Sequence, residues 1–136
     1  MIEHPALVPM SELPAAPRRR GLRARPSRRY RHPPPQVFDA WLAVAGRQPR
    51  TRCLALDRAG MRALHVQRTR LLRFPDLVQA EVIDLGNGDC GIEVDSRSRF
   101  ALYDFEVNRR RVQRWLADLE AELAAMTRAH DHAARS

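Results

Sequence analysis

The sequence contains no lysine, so each of its 24 strongly basic side chains is an arginine. Aromatic residues make up only 6% of the chain, and no apolar run approaches the roughly 20 residues of a transmembrane helix. We therefore expect no membrane span. The two cysteines, Cys53 and Cys90, form no Cys-x-x-Cys pair, which indicates reduced thiols and a cytoplasmic protein.

Several motifs of catalytic sites are also missing. There is no P-loop, no dinucleotide fingerprint and no Gly-x-Ser-x-Gly turn. His65 is the only histidine within the predicted sheet, and a serine nucleophile would need such a base within reach. His130 and His132 lie in a predicted C-terminal tail. We expect no catalytic residue, no metal and no cofactor, and an enzyme is the least favoured functional class.

The positive charge is concentrated near the N-terminus. The 136 residues carry a net charge of +8 and have the length of one domain. Residues 1–35 hold eight arginines and eight of the ten prolines, with a net charge of +6. Because proline removes backbone donors and like charges repel, this segment is predicted to be a disordered arm. The domain is then predicted over residues 36–127, with a frayed tail at 128–136.

Apolar residues recur at helical spacing at both ends of the predicted domain. Phe38, Trp41 and Ala45 predict a helix over residues 36–45. A second set predicts the last helix, with Asp104 as its N-cap. That set consists of Val112, Leu116, Leu119, Leu123 and Met126.

Four stretches between these helices have the character of strands: residues 51–57, 61–73, 77–84 and 90–99. Gly86-Asn87-Gly88 is the strongest hairpin signal. The connections are too short for crossover helices, so the pairing is antiparallel. The predicted fold is α+β, with a four-stranded antiparallel sheet, two helices on one face and the order α-β-β-β-β-α.

An unusual polar stretch follows the last predicted strand. Ser96 and Ser98 alternate with Ile92 on the core face, whereas Arg97 and Arg99 face the other way. On the second strand, Arg68 and Arg70 have the parity of Leu64 and Val66. The pattern has two interpretations, a pocket for an anionic group or an internal network of ion pairs and caps. The candidate cluster comprises Arg70, Asp76, Ser96, Arg97, Ser98, Arg99, Asp104, Asn108 and Arg111.

Two of these segments carry a family resemblance. Residues 69–76, Thr-Arg-Leu-Leu-Arg-Phe-Pro-Asp, are similar to a segment of the bacterial and plastid family catalogued as domain of unknown function 1499. Ser96-Arg97-Ser98-Arg99, followed by Asp104, Asn108 and Arg111, resembles the family's longer motif at the same spacing. The resemblance covers about residues 37–126 and implies a shared fold and polar cluster, with no established activity.

Two binding functions are therefore considered. The leading hypothesis is a small non-catalytic domain that binds a small anionic ligand or a protein partner through the polar cluster. The alternative is electrostatic association of the arm with nucleic acid or an acidic surface. Its arginines are Arg18, Arg19, Arg20, Arg23, Arg25, Arg28, Arg29 and Arg31. Tyr30 is the only aromatic residue among them, so no base-stacking platform is expected.

Overall fold

The computed structural model describes residues 28–98 and 105–134. These residues form five strands and two helices in the order β-α-β-β-β-β-α. The elements are β1 (Arg28–Tyr30), α1 (Pro34–Arg47), β2 (Thr51–Asp57), β3 (Arg62–Arg68), β4 (Pro75–Gly86), β5 (Asp89–Ser98) and α2 (Phe105–Ala134).

The strands form one antiparallel sheet with the spatial order β1-β5-β4-β3-β2. The α+β class, the antiparallel sheet and the two helices are confirmed, but the prediction of four strands is wrong. The fifth strand, β1, lies within the segment predicted to be a disordered arm. Three residues, two of them arginines, are too few to show an alternating pattern, and β1 depends on its pairing with β5.

Both helices are longer than their apolar patterns predict. α1 includes Pro34 and Pro35, since the fixed φ of proline suits the first helical turn. α2 continues to Ala134 through residues predicted to be a frayed tail, and no glycine or proline interrupts it there. No helix within the described part of the chain is long and apolar enough to cross a membrane.

A single core lies between the two helices and one face of the sheet. In β4, Val78, Ala80 and Val82 are buried on this face, and the residues between them are only partly buried. Trp41 of α1 and Trp115 of α2 meet with ring centroids 5.6 Å apart. Both helices therefore cover the same face of the sheet, and each contributes one buried tryptophan to the contact between them.

The β4–β5 hairpin turns at Gly86-Asn87-Gly88, as predicted. All three residues have φ between 56° and 80°. Glycine and asparagine tolerate this left-handed conformation better than other residues do. This turn sets the register of β5, which in turn positions the polar residues at the opposite end of the sheet.

Candidate functional site

Polar residues lie side by side at one end of the helix-covered face of the sheet. Gln67 of β3 is in register with Asp76 of β4, which is in register with Ser98 of β5. Ser96 lies one row further in, opposite the core residue Val78. The period of two along a strand therefore places polar groups directly beside the core.

Arg111, in the second turn of α2, joins these residues. Its Nη2 donates to Asp76 Oδ2 at 2.6 Å, and its Nη1 donates to Ser96 Oγ at 3.1 Å and to Asn108 Oδ1 at 2.8 Å. Its Nε donates to Gln67 Oε1, and Ser96 Oγ also donates to Asn108 Oδ1 at 2.8 Å. We call these five residues the Arg111 cluster.

The Arg111 cluster is buried and internally satisfied. Arg111 is 4% exposed and Asp76 2% exposed. Four hydrogen bonds occupy the guanidinium. Burial of a charged pair is favourable only when such bonds compensate for its lost hydration. An anionic ligand at Arg111 would have to displace one of these partners, so the geometry favours the interpretation as an internal network.

The other predicted members of the cluster lie elsewhere. Arg70 is exposed in the turn after β3 and is not among the hydrogen-bonded residues of the Arg111 cluster. Arg97 faces away from the helices and pairs with Asp95 at 2.7 Å. The predicted positions Arg99 and Asp104 lie outside the described residues.

Gln67 was missed by the sequence analysis because both faces of β3 carry apolar residues. The predicted core face contained Leu64, Val66 and Arg68. The register with β4 instead directs Ala63, His65 and Gln67 towards the helices. The buried polar residue at the end of β3 is therefore Gln67, whereas Arg68 is exposed.

His65 lies opposite Val78, one row further from the end of the sheet than Gln67 and Asp76. It is 3% exposed, and its ring is edge-on to Trp115 at a centroid distance of 6.3 Å. Its Nδ1 has no hydrogen-bond partner among the described residues. Burial lowers the pKa of His65 to about 4, since desolvation disfavours the charged imidazolium. His65 is thus a neutral core residue at neutral pH.

The connection between β3 and β4, residues 69–74, exposes apolar side chains beside arginines. Leu71 is 88% and Leu72 68% exposed. The sequence predicted β3 to continue to residue 73, but the strand ends at Arg68 and the chain turns back. We call residues 69–74 the β3–β4 loop.

Hydrogen bonds between the two ends of the β3–β4 loop close it. Thr69 N donates to Phe74 O at 3.0 Å, and Phe74 N donates to Thr69 Oγ1 at 2.9 Å. Arg68 Nη1 donates to Arg73 O at 3.0 Å. The two leucines are therefore presented at the tip of a closed turn.

Arginines without carboxylate partners collect at this end of the sheet. Arg50, Arg68, Arg70 and Arg73 are exposed, and none of them occurs in the ion pairs of the described chain. Arg50 lies beside the loop, because its Nε donates to Arg68 O at 3.0 Å. We call these four residues the basic end.

Two arginines at the opposite end of the sheet have carboxylate partners. Arg62 pairs with Asp57 at 2.8 Å, and Arg58 pairs with Asp39 at 2.8 Å. Among the described residues, these two arginines are therefore neutralised by carboxylates, whereas those of the basic end are not.

The described part of the predicted arm contacts the folded chain. Arg28 Nε lies 3.2 Å from Glu120 Oε1, and the hydroxyl of Tyr30 donates to the same oxygen at 3.3 Å. Arg31 lies 4.0 Å from Asp89, and Arg29 is exposed. Arg18, Arg19, Arg20, Arg23 and Arg25 lie outside the described residues.

Comparison with known proteins agrees with the motifs in the sequence. No curated protein and no solved structure matches the chain significantly. A family model described as "Protein of unknown function (DUF1499)" matches residues 11–119, which is most of the chain. The resemblance noted from residues 69–76 and from the serine-arginine motif is thereby confirmed. The chain belongs to the DUF1499 family.

Proposed function

We propose that this protein is a non-catalytic binding domain that associates with an anionic surface through its basic end. The observation that carries the proposal is the exposure of Arg50, Arg68, Arg70 and Arg73, none of which forms an ion pair with a carboxylate of the described residues. Guanidinium groups bind phosphates and carboxylates through paired N–H donors, and they retain their charge at any physiological pH.

The Arg111 cluster supports this function indirectly. It ties α2 to β3, β4 and β5 beneath the β3–β4 loop, because its partners come from all three strands. Asp76 lies next to Pro75, the first residue of β4. The cluster therefore holds the strands from which the loop emerges, and it is the arginines of the loop that remain available to a partner.

Removing charge from the β3–β4 loop tests the proposal. Arg70→Gln combined with Arg73→Gln leaves the hydrogen bond from Arg68 to the Arg73 carbonyl in place. We expect this variant to elute from a heparin column at lower salt than the wild type, because fewer counterions are exchanged on binding. The full chain is used, so the arginines of residues 1–27 contribute equally to both proteins.

Arg114→Gln combined with Arg128→Gln is the matched control, since both residues are exposed on α2 and the charge loss is the same. We expect its elution to stay closer to the wild type than that of the loop variant. Equal shifts in the two variants would show that only net charge matters, and the proposal would be wrong.

Association of the arm with nucleic acid remains a separate prediction, tested by glutamine at Arg18, Arg19, Arg20, Arg23 and Arg25.

A further inference from the structure

We propose that the anionic surface is a lipid bilayer and that the β3–β4 loop inserts Leu71 and Leu72 into it. This inference rests on the proposed function and names its partner. The basic end would contact lipid phosphates while the two leucines enter the apolar side of the headgroup region.

The exposure of the leucines is the first argument. Leu71 and Leu72 are the two most exposed of the large hydrophobic side chains in the described residues, at 88% and 68%. They are adjacent, and the two hydrogen bonds between Thr69 and Phe74 close the loop behind them. In this closed turn both leucines are left in contact with solvent.

The arrangement of charge around the leucines is the second argument. Arg68 and Arg70 precede them, Arg73 follows them, and no acidic residue occurs between Arg68 and Pro75. Apolar insertion alone gives weak binding to a bilayer, and basic side chains beside it add attraction to anionic lipids. Arginines before and after an aliphatic tip supply both contributions within one short segment.

The leucines also favour a bilayer over the other polyanions. A nucleic acid presents phosphates and sugars to such a loop, and two leucines would bury little apolar surface against these polar groups. Its single strands are typically held by aromatic stacking instead. Within the β3–β4 loop the only aromatic residue is Phe74, at its base. A protein partner would need an apolar pocket matched to the tip, and it is an alternative outcome of the test.

The charge of the rest of the sheet suits one orientation. Arg62 and Arg58 at the far end are neutralised by Asp57 and Asp39. The basic end is therefore the part of the sheet that an anionic bilayer attracts most strongly. The protein would therefore bind the bilayer with the β3–β4 loop facing the lipid.

Sedimentation of the full chain with lipid vesicles tests the inference. We expect binding to vesicles of phosphatidylcholine mixed with phosphatidylglycerol and little binding to phosphatidylcholine alone. Leu71→Ser combined with Leu72→Ser should weaken binding by about tenfold or more, since two buried leucines are lost from the bilayer. Each loop arginine changed to glutamine should weaken it by about fivefold.

Leu85→Ser is the control for the leucine variants, because Leu85 is a leucine at the β4–β5 hairpin that is 37% exposed. It should bind vesicles as the wild type does. The leucine variants are on the surface, so their melting temperatures should stay near that of the wild type. A Leu71→Trp variant should be quenched by brominated acyl chains, whereas the buried Trp41 and Trp115 should not.

The outcomes separate the inference from the proposed function. If Arg70→Gln with Arg73→Gln abolishes vesicle binding but the leucine variants bind normally, association is electrostatic only and the insertion is wrong. If heparin binding depends on the loop arginines and vesicles are not bound, the partner is a nucleic acid or a protein. If neither heparin nor vesicles respond to the loop arginines, the proposed function fails as well.

Discussion

At the scale of single residues, the least typical feature is a buried guanidinium. Arg111 reaches the sheet from α2, and its ion pair with Asp76 is almost without solvent contact. Such a pair adds little net stability compared with apolar residues of the same shape, but each charge is tolerated in the interior only while the other is present. Loss of one partner leaves the other charge buried and uncompensated.

Asp76→Asn should therefore lower the free energy of unfolding by about 3–5 kcal/mol, measured by urea denaturation. Asp76→Leu combined with Arg111→Met should recover much of that loss, because no charge is then left buried. Arg97→Gln, which breaks the half-exposed pair with Asp95, is the control and should cost under about 1 kcal/mol. A loss of similar size in all three proteins would contradict the role of the Arg111 cluster.

His65 makes stability depend on pH. Its pKa in the folded chain, about 4, is below the ordinary value of 6.5, so the unfolded chain binds the proton first as the pH falls. The free energy of unfolding should therefore decrease between pH 6.5 and about pH 4, by roughly 3 kcal/mol from this residue. His65→Leu should remove this part of the decrease, as measured by urea denaturation at pH 7 and pH 5. An unchanged decrease in the variant would show that His65 does not titrate in this range.

At the scale of the elements, most of the fold was predictable from pattern. The two helices follow from apolar residues such as Trp41 and Leu119, which repeat with the period of a helix. The order of β2 to β5 follows from strand-like stretches that short turns separate. The ends were less predictable. β3 stops at Arg68 because Thr69 closes a turn with Phe74, and that pairing is invisible in a run of alternating residues.

β1 depends on α2 as well as on β5. Arg28 and Tyr30 both bond Glu120, and burial together with this carboxylate raises the pKa of the Tyr30 hydroxyl. Glu120→Gln should increase hydrogen exchange of the β1 amides by up to about fivefold, since exposed ion pairs contribute under about 1 kcal/mol. Glu122 lies on α2 as Glu120 does, but it pairs with Arg47 of α1. Glu122→Gln should therefore leave the hydrogen exchange of the β1 amides unchanged. Equal effects of the two variants would mean that Glu120 does not hold β1.

At the scale of the whole molecule, the distribution of charge matters more than its total. Most of the net charge of +8 lies in residues 1–35, so the sequence alone indicates the N-terminal segment as the site of electrostatic binding. Within the part of the chain that the structure describes, Arg58 and Arg62 are paired with carboxylates, whereas Arg70 and Arg73 are not. The β3–β4 loop combines this unpaired charge with the exposed leucines, and the proposed function depends on that combination.

The sequence alone determined the α+β class, the antiparallel meander, the family and the presence of Asp76, Ser96, Asn108 and Arg111 in a polar group. These depend on local periodicity and on spacing along the chain. Only the tertiary structure decided that Gln67 completes the cluster, that Arg70 is left outside it and that β1 joins the sheet. The physical reason is register: the pairing of β3 with β4, and of β4 with β5, selects which face each side chain takes, and both faces of β3 carry apolar residues.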